Sequence, residues 1–182
     1  MGFFPRRSQS GLRRTVASSA RSKAYFDTTV FVAALIGDTE PYHADSLSTI
    51  RFAQAGGIEG VFSGLVVAEV FGCATVRAPQ SQPHAVAAER IVAARQFFRG
   101  CDFLSVDLTK RVGERASVLA VDFHLKGADA SHLAIAEWSG CDIMYTLDHG
   151  LLKVGSQVGG LTVTRPQDPM SAPGTLLGHS GT

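Results

Sequence analysis

Apolar positions along this chain fall into two rhythms, short runs of strand length and longer segments at helical spacing, and the two alternate. Ala24-Tyr25-Phe26 leads into Asp27 and predicts a short buried strand, followed at once by the apolar run Val30–Ile36 of a helix. Asp38-Thr39 offers a cap, and Pro41 suits the first turn of a helix reaching about Ala55, where Gly56-Gly57 stops it. Gly60–Ser63 is a second strand and Leu65 to about Arg77 a second buried helix. Within Gln82–Arg99, Ala85, Ala88, Ile91, Val92, Arg95 and Phe98 lie near helical spacing. Asp102–Val106 is a third strand. A helix from Leu108 to about His124 follows, then a break at Lys126-Gly127, and another helix over about Ala130–Trp138. Asp142–Leu147 and Gly160–Thr164 are the fourth and fifth strands. Strands separated by helices imply parallel crossovers and a three-layer α/β sandwich with helices on both faces of the sheet. In such sheets, chemistry gathers at the carboxyl ends of the strands, near a topological switch point.

Composition narrows the class. The 182 residues are 45% hydrophobic and 18% charged, the balance of a globular protein, and are enough for one domain. The run Val30–Ile36 is far short of the ~20 apolar residues a membrane-spanning helix needs. Cys73, Cys101 and Cys141 form no C-x-x-C pair, so the expected setting is a reducing cytoplasm rather than a disulfide framework. The net charge of +1 hides an asymmetry. Residues 1–26 hold six bases (Arg6, Arg7, Arg13, Arg14, Arg21, Lys23) and no acid, leaving 11 bases against 16 acids in the rest. An acidic body argues against a domain that grips nucleic acid through a generally cationic face. Residues 1–22 read as a disordered basic extension, or as the product of a start site upstream of the natural one. Their Arg- and Ser-rich composition also resembles a transit peptide. Residues 23–165 read as the folded domain, and 166–182, with Pro166, Pro169, Pro173 and Gly174, as a flexible tail.

Four acids sit where the chemistry should gather. Asp27 follows the first strand, and taken alone is a helix cap. Glu69 is the lone ionisable group in Gly64–Val76, a segment apolar on nearly every face; an unpaired buried carboxylate is costly, so it needs an Arg such as Arg77 or a cation. Asp129 precedes the helix Ala130–Trp138 and also reads as a cap. Asp148 follows the fourth strand and precedes His149-Gly150, a turn sequence. If the first and fourth strands are neighbours, Asp27 and Asp148 face each other across the sheet edge. Each like-charged pair at about 5 Å costs about 3 kcal/mol at an effective dielectric of 20. Such a cluster stands only if some members stay protonated or a divalent cation is bound, and hard oxygen ligands select Mg²⁺ or Mn²⁺.

Tyr25–Leu35, Ser63–Phe71, Ala128–Ala136 and Tyr145–Asp148, in that order, resemble the PIN-domain ribonucleases, in particular the VapC-like toxins of type II toxin–antitoxin pairs. The resemblance covers about Ala24 to Thr164. It implies a five-stranded parallel sheet in the order 3-2-1-4-5, with Asp27, Glu69, Asp129 and Asp148 as an acidic quartet binding Mg²⁺ or Mn²⁺. It also implies that Thr28 or Thr29, with Thr146, donate hydrogen bonds behind the ligands. The implied activity is endonucleolytic cleavage of RNA by water, leaving a 5′-phosphate and a 3′-hydroxyl. The implied partners are a second copy of the chain and a small VapB-like antitoxin, through which alone the protein would meet operator DNA. The basic extension departs from the usual compact toxin.

Arg51, Arg77, Arg90, Arg95, Arg99, Lys126 and Lys153 are candidate bases for holding RNA, though each reads more simply as a solvated surface residue. His132 lies one helical turn after Asp129 and could line a pocket; a packed or surface histidine is the plainer expectation, and His149 has the same standing. No zinc spacing and no phosphate-loop motif occurs. A haloacid-dehalogenase-like phosphatase would want a second Asp where Thr29 stands. A receiver domain would want paired acids before its first helix. A PIN-like module that binds RNA or protein without cutting is the alternative from a different class.

Overall fold

The computed structural model describes residues 21–37, 39–77 and 84–169. The expected cap at Asp38, most of the basic extension and the end of the tail lie outside them. The chain runs β1 (Lys23–Phe26), α1 (Thr28–Ile36), α2 (His43–Gln54), β2 (Glu59–Ser63), α3 (Gly64–Gly72), α4 (Ala74–Arg77) and α5 (His84–Gly100). It continues through β3 (Leu104–Val106), α6 (Lys110–Phe123), α7 (Gly127–Trp138), β4 (Ile143–Tyr145), α8 (His149–Leu152) and β5 (Thr162–Thr164).

All four strand pairs are parallel and the sheet order is β3-β2-β1-β4-β5, so the order implied by the family resemblance is the order found. β1 is central, and Ala24, Tyr25 and Phe26 are fully buried, as befits a strand covered on both faces. Successive side chains of a strand point to opposite faces. Accordingly, Tyr25 meets His132 of α7, while Phe26 meets Phe31 of α1 and Phe103. On the Phe26 side, Phe31 packs on both Phe97 and Phe98 of α5. The register pairs Phe26 of β1 with Tyr145 of β4, which puts Asp27 and Thr146, the next residues, side by side at the carboxyl edge. The backbone N–H of Asp27 donates to the Tyr145 carbonyl at 3.0 Å. Strands leave β1 in both directions here, so this edge is the switch point.

Four boundaries differ from expectation. The helix expected over Leu65–Arg77 is two helices, because Cys73 turns extended (φ −64°, ψ 125°) directly after Gly72, a poor helix former. Helix α2 starts at His43, after Pro41 rather than on it. Helix α7 starts at Gly127, hard against the left-handed C-cap His124 (φ 54°) of α6, so Asp129 lies inside the first turn instead of capping it. The turn expected after Asp148 is a one-turn helix, α8. Beyond Arg165 the backbone continues across α2, where Thr49 Oγ1 donates to the Gln167 carbonyl (2.9 Å) and Ser48 Oγ to Asp168 (2.8 Å).

Candidate active site

Four elements deliver one carboxylate each to a cavity of about 580 Å³ at the carboxyl edge of the sheet. Asp27, Glu69, Asp129 and Asp148 all line it, with Thr28, Thr29 and His132 beside them and Ala68, Gly72 and Cys73 as the apolar wall. Residues far apart in sequence are thus brought together.

Asp27 is both cap and cavity residue. It is 3% exposed and caps α1 with extended backbone (φ −71°, ψ 159°). Its Oδ2 accepts from Thr29 Oγ1 at 2.7 Å and Thr146 Oγ1 at 2.8 Å, with the Thr29 amide at 3.4 Å. Those two hydroxyls in turn accept backbone N–H bonds, Thr29 from Leu147 (2.8 Å) and Thr146 from Asp148 (3.0 Å). The pair therefore ties the end of β1 to the loop that carries Asp148. Asp148 caps α8 through Oδ1, which accepts from the Gly150 and Leu151 amides at 2.7 and 3.0 Å. A Cβ on Gly150 would stand 2.9 Å from that oxygen, so a side chain there would push the Asp148 carboxylate aside.

Glu69 lies in the middle of α3. Thr28 Oγ1 donates to its Oε2 at 2.5 Å, and His132 Nε2 lies 2.8 Å from the same oxygen. The arginine partner weighed for Glu69 is not what meets it: among the described residues, the ionisable partner is His132. The His132 hydrogen bond holds the Glu69 carboxyl below its ordinary range, more than burial raises it. Burial pulls His132 down, but the Glu69 bond and the charges of Asp27, Glu69 and Asp129 outweigh it and raise the imidazole overall. Asp129 is raised, first by burial and then by the charges of Asp148 and Asp27, with Lys126 opposing. The part of that push owed to Asp148 and Asp27, second to burial, is what carboxylates sharing one space exert on one another.

In three of the acids, one oxygen takes the hydrogen bonds and the other is left over. Asp27 Oδ1, Glu69 Oε1 and Asp148 Oδ2 accept no hydrogen bond among the described residues, and all three side chains line the cavity. The quartet lines the cavity without closing into a cage. Among the described residues, no three His, Cys, Asp or Glu side chains stand close enough together to hold one ion directly. An all-oxygen, partly open site of this kind fits a hard cation that keeps several of its waters, as Mg²⁺ does.

The candidate bases divide. Arg90 is buried and spent on structure, its Nη2 donating to the Ile36 carbonyl (2.6 Å) and its Nη1 to that of Thr75 (3.2 Å). Lys126 stands at the start of α7 with no side-chain capping bond, and its charge reaches Asp129. Lys153 lines a neighbouring cavity of about 400 Å³ together with His124 and Gly150. His149 is exposed. His132, expected to be an ordinary packed residue, is 2% exposed and is the histidine lining the acidic cavity.

An α/β/α sandwich with an acid-lined cavity at the switch point of its parallel sheet defines the class. The PIN domain model matches residues 24–156, well over half of the chain, and the protein belongs to the PIN domain family. Among curated proteins, none matches the sequence. Among solved structures, the chain resembles VapC20 of Mycobacterium tuberculosis, described as a sarcin-ricin loop cleaving toxin. The identity is 19% and the TM-score 0.51, over 69% of this chain and 89% of that one. A toxin–antitoxin complex from Klebsiella pneumoniae matches at 19% identity and TM-score 0.53, over 80% and 98%. VapBC2 of Rickettsia felis, bound to a promoter DNA fragment, matches at 13% and 0.54, over 79% and 98%. At these identities the likeness is one of fold. No described helix is long and apolar enough to cross a membrane.

Proposed function

We propose that this protein is a metal-dependent endoribonuclease and the toxin of a toxin–antitoxin pair. The observation that carries the reading is the convergence of Asp27, Glu69, Asp129 and Asp148, from four separate elements, on one cavity. Family membership and the toxins that share its fold support it. Mg²⁺ or Mn²⁺, held among the free oxygens of Asp27, Glu69 and Asp148 and by Asp129 partly through the ion's own waters, would neutralise phosphate charge and lower the pKa of a water. The chain's own part is to position. Thr29, Thr146 and Thr28 fix which oxygen of Asp27 and Glu69 faces the cavity, and the α8 amides do so for Asp148. Asp129, with no hydrogen-bond donor among the described residues and a raised proton affinity, is the carboxylate suited to take a proton from the attacking water. In-line attack would leave a 5′-phosphate and a 3′-hydroxyl.

The partners follow from the same reading. A second groove, of about 250 Å³, runs between α1, α2 and α5 and is lined by Phe31, Leu35, Leu47, Ile50 and Phe97. It is apolar enough to take the hydrophobic face of an antitoxin segment. A second copy of the chain would complete the assembly, with operator DNA reached through the antitoxin.

The test is cleavage of total cellular RNA by the purified chain. Cleavage should require Mg²⁺ or Mn²⁺, stop with EDTA, and fall at least about 100-fold in Asp27→Asn, a loss typical of removing a group that acts on transition-state charge. An Asp27→Asn variant that cuts as fast as its parent overturns the assignment.

A further inference from the structure

Glu69 is held from behind by a chain of polar groups buried in an otherwise apolar interior. Ser63 Oγ caps α3, accepting from the Val66 amide at 3.4 Å. The same oxygen is 2.9 Å from the Tyr25 hydroxyl, which is 2.8 Å from His132 Nδ1. His132 Nε2 then reaches Glu69 Oε2 at 2.8 Å, with Asp27 Oδ1 farther off at 3.7 Å. The chain starts at the cap of α3, crosses β1 and α7, and returns to α3 two turns on. Ser63 and Tyr25 are fully buried and His132 nearly so. Burying three polar side chains costs free energy unless each is satisfied, and here each is satisfied by the next.

Resting on the nuclease reading above, we propose that His132, oriented by Tyr25, is a positioning residue that pins Glu69 Oε2 and so presents Oε1 to the bound cation. With Thr28 Oγ1 on the same oxygen, Oε2 carries two donors and is closed to metal. Without His132, α3 still carries Glu69 to the cavity, but Thr28 Oγ1 alone then holds Oε2 and the carboxylate is fixed less firmly. The residue touches neither metal nor RNA in this scheme, and acts through Glu69 alone.

Two amides separate this role from packing. Gln places its side-chain nitrogen near the position of the imidazole Nε2, and Asn places its own near Nδ1. His132→Gln therefore keeps the donor to Glu69, whereas His132→Asn keeps only the contact with Tyr25. Mn²⁺ affinity is measured by titration calorimetry, with melting temperature followed in parallel. His132→Asn should bind Mn²⁺ about 10- to 100-fold more weakly, and His132→Gln within about threefold of the parent, the scale on which residues behind a ligand tune a metal site. Tyr25→Phe should lose a smaller part of the affinity, and it decides the matter if His132→Asn does not melt cooperatively. Parental Mn²⁺ affinity in Tyr25→Phe and His132→Asn, or equal losses in the Gln and Asn variants, would overturn the proposal. If Asp27→Ala abolishes Mn²⁺ binding while His132→Asn leaves it intact, only this inference falls. If the parent binds no Mn²⁺, the nuclease reading falls with it.

Discussion

Asp27 serves two masters with two oxygens. Oδ2 is spent on Thr29 and Thr146, and Oδ1 accepts no hydrogen bond among the described residues. Thr146 is fully buried and both donates to Asp27 and accepts from the Asp148 amide. Thr146→Val keeps the shape but leaves that amide unpaired, a loss of about 1–3 kcal/mol. Urea denaturation should show this drop, and RNA cleavage should fall with it, since the loop bearing Asp148 loses its anchor. The four acids could be picked out along the chain because each stands at an element boundary or alone in an apolar segment. His132 carries the same signal, although one turn after Asp129 it reads more plainly as a packed or surface histidine than as a cavity residue. It is the one ionisable group in Ala130–Ala136, whose other members apart from Ser131 are buried and apolar. Two apolar stretches with one ionisable group apiece, Gly64–Gly72 and Ala130–Ala136, are best reconciled by pairing those groups, and Glu69 with His132 is that pair.

At the scale of elements, the periodicity located every strand but misplaced helix ends, because the ends are set by contacts that the local pattern does not contain. Arg90 shows how. It reads as a surface base on a long polar helix, yet its guanidinium takes up the Ile36 carbonyl at the end of α1 and the Thr75 carbonyl of α4. Nothing near Arg90 in sequence announces those partners. Charged hydrogen bonds of this kind contribute about 1.5–3 kcal/mol each. Arg90→Ala should therefore lower the unfolding free energy by about 2 kcal/mol or more in chemical denaturation, with the salt dependence of RNA binding unchanged. Loss of RNA affinity without loss of stability would instead place Arg90 on the substrate path.

For the molecule as a whole, the alternation of strands and helices indicated a parallel sandwich, whereas the order β3-β2-β1-β4-β5 came from the family resemblance and is the order found. Periodicity fixes which residues are strands, not which strands touch. Charge follows a similar division. The acidic balance spoke against a cationic nucleic-acid face, and the cavity concentrates that acidity where a polyanion would have to enter. A divalent ion would then stabilise the native state as well as admit substrate. Linkage gives about 2.7 kcal/mol at a ligand concentration 100 times its dissociation constant. Mn²⁺ should accordingly raise the melting temperature of the parent and leave that of Asp27→Asn almost unmoved, as scanning calorimetry would show.

The placing of Asp27 on the central strand and Asp148 just past β4 has a consequence for the chain while it is being made. Translation must pass Asp148, and β4 must dock beside β1, before the last wall of the cavity exists. On the nuclease reading proposed above, a nascent chain that has not yet brought Asp148 beside Asp27 lacks the complete acidic cavity and would not cut the RNA around it.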